Sequence, residues 1–118
     1  LVKSDAEECN LPMTVIVNGN TASAAELFTA SLHDFGKASI VGTQTFGKGI
    51  MQVTQTMPGG GALTLTVATY QTTKGECYHK VGITPDEIVE PGEDAIDYDN
   101  PDPEKDPQLK KAIEMVTQ

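Results

Sequence analysis

The chain contains no Trp and no Arg, only two Cys, and six Phe and Tyr residues in all 118 positions. Two cysteines cannot build a disulfide scaffold, and Cys9 and Cys77 lack the spacing of a metal site. A single bridge between them is open to the chain; two unpaired thiols are the simpler expectation. Basic charge is equally scarce. Eight Lys face 17 Asp and Glu, for a formal charge of −9. Nucleic acids and anionic membranes both select a basic footprint, so neither is an expected partner. No apolar run approaches the roughly 20 residues that cross a bilayer, and the opening LVKSDAEECN does not read as a signal peptide.

What remains is one domain's worth of residues with a modest aliphatic core supply. The acidity is uneven: residues 1–85 hold 6 acidic residues and 5 Lys, and residues 86–118 hold 11 and 3. The sequence therefore divides into 1–90, which carries sharp patterns, and 91–118. The latter opens with PGEDAIDYDNPDPEKDP, read as an extended, solvated connector.

Met13 to Val17 is a short apolar run closed by Asn18-Gly19-Asn20, as expected of a buried strand and its turn. Ala24, Leu27, Phe28, Leu32 and Phe35 follow at helical spacing and predict a core-facing stripe, ended by Gly36. Ala38 to Val41 is a second strand. Strand, helix and strand within about 30 residues predict a right-handed crossover between parallel strands. The period then changes to two. Ile50 to Met57 and Ala62 to Thr72, separated by Pro58-Gly59-Gly60-Gly61, predict an antiparallel hairpin with Leu63, Leu65 and Val67 on its inner face. Asp106-Pro107 caps a closing helix striped by Leu109, Ala112, Ile113 and Val116. The fold class is mixed α/β.

Ser23 falls where the first turn becomes the helix. Unpaired N–H groups and the positive end of the helix dipole gather there, which favours developing negative charge on a nucleophile or an oxyanion. The small neighbours Ala22, Ala24 and Ala25 leave the hydroxyl approachable, and the Ala24 N–H can donate to an oxyanion. The same residues also spell a capping box, Ser23-Ala24-Ala25-Glu26, which marks ordinary helix starts. Thr21 is an alternative cap. The serine alone decides nothing.

A base is needed beside it. His33, late in the helix, and His79, in a loop-like stretch, both read as solvated surface residues. Lys48 lies in Thr45-Phe46-Gly47-Lys48-Gly49, a glycine-bracketed turn. Its turn and that of Ser23 both follow parallel strands at their C-terminal ends, where ligands gather in α/β sheets. A lysine serves as general base only when neutral, which takes burial or a cationic neighbour. A lone glycine-flanked lysine is otherwise an exposed turn residue.

Taken together, VIVNGNTASAAELFTASLHDFGKASIVG, TQTFGKGIMQ, GGGALTLTVATYQTTKG and VGITPDEIV resemble the catalytic core of the C-terminal processing (tail-specific) serine peptidases. The likeness covers roughly residues 11–90. In that family a segment like NGxSASASE carries the nucleophile and one like TFGKGxxQ carries the base. Ser23 and Lys48 stand at those positions, and Gln52 matches a glutamine that holds the lysine amine in some members. Thr21 and Ala25 replace the motif's other two serines.

The resemblance implies a crotonase/ClpP-like core and peptide-bond hydrolysis by a Ser/Lys pair, with the Ala24 N–H as one oxyanion donor and no metal or organic cofactor. It implies protein or peptide substrates and an extracytoplasmic setting. It also implies a PDZ-like domain and a second oxyanion donor upstream, so these 118 residues are expected to be an incomplete, inactive piece. Strand edges meant for upstream partners predict self-association. Two other readings stay in view. One is a non-catalytic ligand- or protein-binding module of the same fold. The other is a crotonase-type acyl-CoA enzyme, which needs no Ser/Lys pair and whose anionic ligand suits a charge of −9 poorly.

Overall fold

Strand β1 (Thr14–Val17) runs into helix α1 (Ala24–Asp34), which crosses back to strand β2 (Ser39–Gly42) in the computed structural model, which describes residues 7–92 and 99–117. β1 and β2 are parallel, with Thr14 opposite Ser39 and Val17 opposite Gly42. This is the crossover unit that the sequence predicts. Strands β3 (Ile50–Thr56) and β4 (Ala62–Thr69) form the expected antiparallel hairpin, with a register shift between Met51 and Gln52. Strand β5 (Glu87–Ile88) then returns to the parallel sheet and pairs with β2, giving the order β1-β2-β5. Two residues are too short a run for any periodicity to announce, so this third strand is an addition to the sequence reading. Helix α2 (Pro107–Val116) closes the chain.

The core centres on the middle strand. Ile40 and Val41 are both fully buried. Successive strand residues point to opposite faces, so β2 is covered on both. α1 packs on β2, and α2 packs on β1 and β2. Asp106 caps α2 by accepting from the N–H groups of Gln108 at 2.9 Å and Leu109 at 3.1 Å. Gln108 is buried and donates its side-chain amide to the Val89 carbonyl at 2.7 Å, which ties α2 to the end of β5.

Three sequence expectations need correction. The face of α1 that is buried is Glu26, Thr29 and Ala30, not the apolar stripe; Phe28 and Phe35 are 63% and 69% exposed. Polar residues can take the inner face because each is satisfied: Thr29 Oγ1 donates to the Ala25 carbonyl at 2.8 Å, and Glu26 accepts a set of donors described below. Leu63, Leu65 and Val67 are about half exposed, so they line no inner face among the described residues. In α2, Ile113 is exposed and Gln108 takes its place in the buried line with Ala112.

Cys9 and Cys77 are free and exposed. Part of the acidic connector, 93–98, lies outside the described residues, and 99–106 hold turns and bends. Among the described residues no helix is long and apolar enough to cross a membrane.

Candidate active site

Parallel pairing puts the C-terminal ends of β1 and β2 side by side, so the loops that follow them leave from one edge. The first loop, residues 18–23, is folded on itself. Thr21 N–H donates to the Asn18 carbonyl at 2.9 Å, and Asn18 N–H donates to Thr21 Oγ1 at 3.1 Å. Thr21 is thereby committed to the turn, and the helix cap is Ser23.

Ser23 has φ 57° and ψ −116°, with Lys80 the only other non-glycine at positive φ among the described residues. Such a backbone costs a side-chain-bearing residue about 1–3 kcal/mol, and strain of this kind concentrates at functional sites. It sets the hydroxyl on a sharp strand-to-helix turn. Ala24 follows as the first helical residue, so its N–H belongs to the amides that have no partner within the helix. The capping box predicted from the sequence is present. Its carboxylate arm is firm, with Ser23 N–H donating to Glu26 Oε2 at 2.9 Å, whereas the serine hydroxyl forms no close cap hydrogen bond.

The second loop, residues 43–49, is drawn over the first. Phe46 N–H donates to the Thr21 carbonyl at 3.0 Å. Lys48 N–H donates to Glu26 Oε2 at 2.8 Å, the same oxygen that holds Ser23. The two amide nitrogens are therefore less than about 6 Å apart, the two bonds laid end to end. The residues singled out as nucleophile and base are joined through one atom of one carboxylate. Lys48 itself is exposed.

A third segment locks the second from below. Lys80 N–H donates to the Gly47 carbonyl at 2.8 Å, Ile83 N–H to Thr45 Oγ1 at 2.7 Å, and Thr45 N–H to the Ile83 carbonyl at 3.2 Å. This close approach explains the glycines around Lys48. A Cβ on Gly47 would sit 2.9 Å from the Gly82 nitrogen, and one on Gly49 would sit 2.9 Å from the His79 nitrogen.

Gln52 stands on β3, exposed, just past the register shift, and its Nε2 donates to Thr66 Oγ1 across the hairpin at 3.4 Å. His33 is in the last turn of α1, away from Ser23, and its Nε2 lies 2.9 Å from Asp86 Oδ1. The other oxygen of Asp86 accepts from Ile40 N–H at 2.7 Å, so this pair ties helix to sheet. His79 departs from the surface reading: it is half-buried, and its Nδ1 is buried without a hydrogen-bond partner. Tyr78 beside it is buried, its hydroxyl also unpartnered. Burial first, then the nearby Glu26 carboxylate, pushes the Tyr78 phenol up to about 12. Among the described residues no group of His, Cys, Asp or Glu could hold a metal ion.

Glu26 is what sequence reasoning undervalued. The capping pattern identified its bond to Ser23, but its partners at 45, 47 and 48 are distant in sequence and carry no local signal.

Known proteins share this arrangement of segments. The model of peptidase family S41 matches residues 2–89. A carboxyl-terminal-processing protease of Picosynechococcus sp. is 40% identical over 107 residues, which cover 91% of this chain and 25% of that protein. A carboxy-terminal-processing protease of Bartonella bacilliformis is 46% identical over 79 residues, covering 67% of this chain and 18% of that protein. Among solved structures, a photosystem II D1 C-terminal processing protease superposes with a TM-score of 0.63 at 39% identity, over 67% of this chain and 20% of that one. The chain thus spans a quarter or less of the length of these relatives. With most of its length matched by the family model, and with both loop segments inside that match, the chain belongs to peptidase family S41.

Proposed function

We propose that this chain carries the nucleophile and the base of a serine endopeptidase that cleaves proteins near their C-terminal ends. Ser23 Oγ attacks the scissile carbonyl carbon while Lys48 Nζ accepts the hydroxyl proton. The Ala24 N–H donates to the oxyanion of the tetrahedral intermediate. Lys48 then passes the proton to the leaving amine, and water attacking the acyl-enzyme regenerates Ser23. Gln52, four residues beyond the base, orients the lysine amine. The observation that supports this reading best is the shared carboxylate oxygen, which ties the strained serine and the lysine into one edge of the sheet.

The rest of the machinery is expected from outside these residues: a second oxyanion donor, a PDZ-like domain that presents substrate tails, and the cover that desolvates Lys48. The 118 residues alone are therefore expected to be inactive, and an extracytoplasmic setting is expected of the complete protein. In that protein a fluorophosphonate probe should label Ser23. Ser23→Ala and Lys48→Ala should each abolish labelling and lower peptide turnover about 10³-fold or more, with the melting temperature preserved. Gln52→Ala should cost about tenfold in kcat. Peptide turnover that survives both Ser23→Ala and Lys48→Ala rejects the mechanism; full-length protein with neither labelling nor turnover favours the binding-module reading.

A further inference from the structure

Glu26 is fully buried, which is costly for a carboxylate unless every lone pair finds a donor. Here all do. Oε2 accepts from the N–H groups of Ser23 at 2.9 Å and Lys48 at 2.8 Å. Oε1 accepts from the Gly47 N–H at 2.7 Å and the Thr45 hydroxyl at 2.5 Å. Capping a helix uses only the first of these four bonds. The other three reach residues 19 to 22 positions further along the chain.

We propose that Glu26 is the positioning residue of this site: a single buried carboxylate fixes the loop that delivers Lys48 against the strained turn that delivers Ser23. The proposal rests on the Ser/Lys reading above. Its logic is geometric. Holding the backbone N–H of Lys48 and of Ser23 on one oxygen leaves the two side chains to meet from anchored Cα atoms. The remaining bonds stop the 45–48 segment from rotating about that anchor. Four inward-pointing donors demand four acceptor positions, which only a carboxylate supplies. A glutamine in the same place turns an NH2 group toward two of those donors, and an aspartate falls a methylene short of them.

Glu26→Gln separates the two roles, because a capping box accepts Gln as readily as Glu. In the complete protein, Glu26→Gln is expected to lower kcat about 100-fold or more, the scale of an ångström-sized misplacement, with KM within about threefold. Hydrogen exchange should accelerate in peptides covering 44–49 and stay unchanged in those covering β1 and β2. If Glu26→Gln keeps kcat within threefold of the parent while Ser23→Ala and Lys48→Ala are dead, Glu26 is only a cap and the proposal fails. If those two variants retain turnover, the Ser/Lys reading fails and takes the positioning role with it. Should Glu26→Gln lose protection throughout the sheet, Thr45→Val decides. It removes the hydroxyl donor to Glu26 and, with it, the acceptor of the Ile83 N–H, and is expected to lower kcat about tenfold. Thr45→Ser, which keeps both, should stay near the parent; an unchanged kcat in Thr45→Val overturns the proposal.

Discussion

The parallel sheet and the hairpin use similar residues to opposite ends. In β2, Ile40 and Val41 vanish from solvent, whereas in β3 and β4 Met51, Val53, Leu63, Leu65 and Val67 stay between 43% and 55% exposed. The chain's radius of gyration, 17.3 Å, exceeds the roughly 13.5 Å expected of a compact domain of this length, in keeping with a hairpin that buries little of itself. The contrast teaches where rigidity lies. Ser23 is held by α1, through Glu26 and the Leu27 N–H, while Lys48 sits at the seam, its amide fixed to the same helix and the strand two residues beyond it reaching into the hairpin.

The strongest way to break this contrast is to shave both regions equally. In the 118-residue chain, Ile40→Ala should cost about 2–5 kcal/mol by urea denaturation, since it opens a cavity between covered faces. Leu65→Ala should cost less than about 1 kcal/mol there, as for other surface positions. Repeating Leu65→Ala in the complete protein sharpens the comparison. A cost that rises to match Ile40→Ala means the remaining protein covers the hairpin; an unchanged cost means the hairpin stays uncovered there too.

A smaller effect is expected at the seam. Gly49→Ala inserts a Cβ 2.9 Å from the His79 nitrogen and must push the Lys48 loop off its support. It should destabilise the complete protein by about 1–3 kcal/mol and slow turnover more than it alters KM. Wild-type turnover in this variant would show that the packing of residues 79–82 under the Lys48 loop is irrelevant to activity.

The mildest prediction concerns the buried phenol under Glu26. The Tyr78 phenol is raised, by burial and then by Glu26, from 10.0 to about 12. The unfolded chain therefore ionises first as pH climbs. The stability tied to the neutral phenol is complete below pH 10 and is lost as pH rises through 12. Tyr78→Phe should flatten that alkaline decline in melting temperature and, because the hydroxyl has no partner, change stability by less than about 0.5 kcal/mol at neutral pH. An alkaline decline as steep in Tyr78→Phe as in the parent assigns the loss to other groups.

Much of the architecture could be read without coordinates, for reasons visible in single residues. Met13 to Val17 and Ala38 to Val41 are apolar runs bounded by turn residues, and Asp106-Pro107 is an unambiguous helix start; all three stand where expected. β5 could not be read, since Glu87 and Ile88 become a strand only because β2 offers them an edge. The stripe through Phe28 and Phe35 misled because periodicity reports a face without saying what covers it. The true inner face includes Glu26 and Thr29, whose burial depends on hydrogen bonds, not on hydropathy.

The order of the segments, the serine at a helix entrance and the lysine between glycines were determined by sequence alone, because local backbone preference and spacing act over a few residues. Which oxygen Ser23 and Lys48 share, that Thr21 serves the turn and not the cap, and that a glutamate belongs inside were decided only by the tertiary structure. Thr21 is claimed by Asn18, three residues away, in a turn that residue preference left open against the cap. The shared oxygen and the buried glutamate depend on donors far along the chain, which the parallel pairing of β1 with β2 brings within hydrogen-bonding reach.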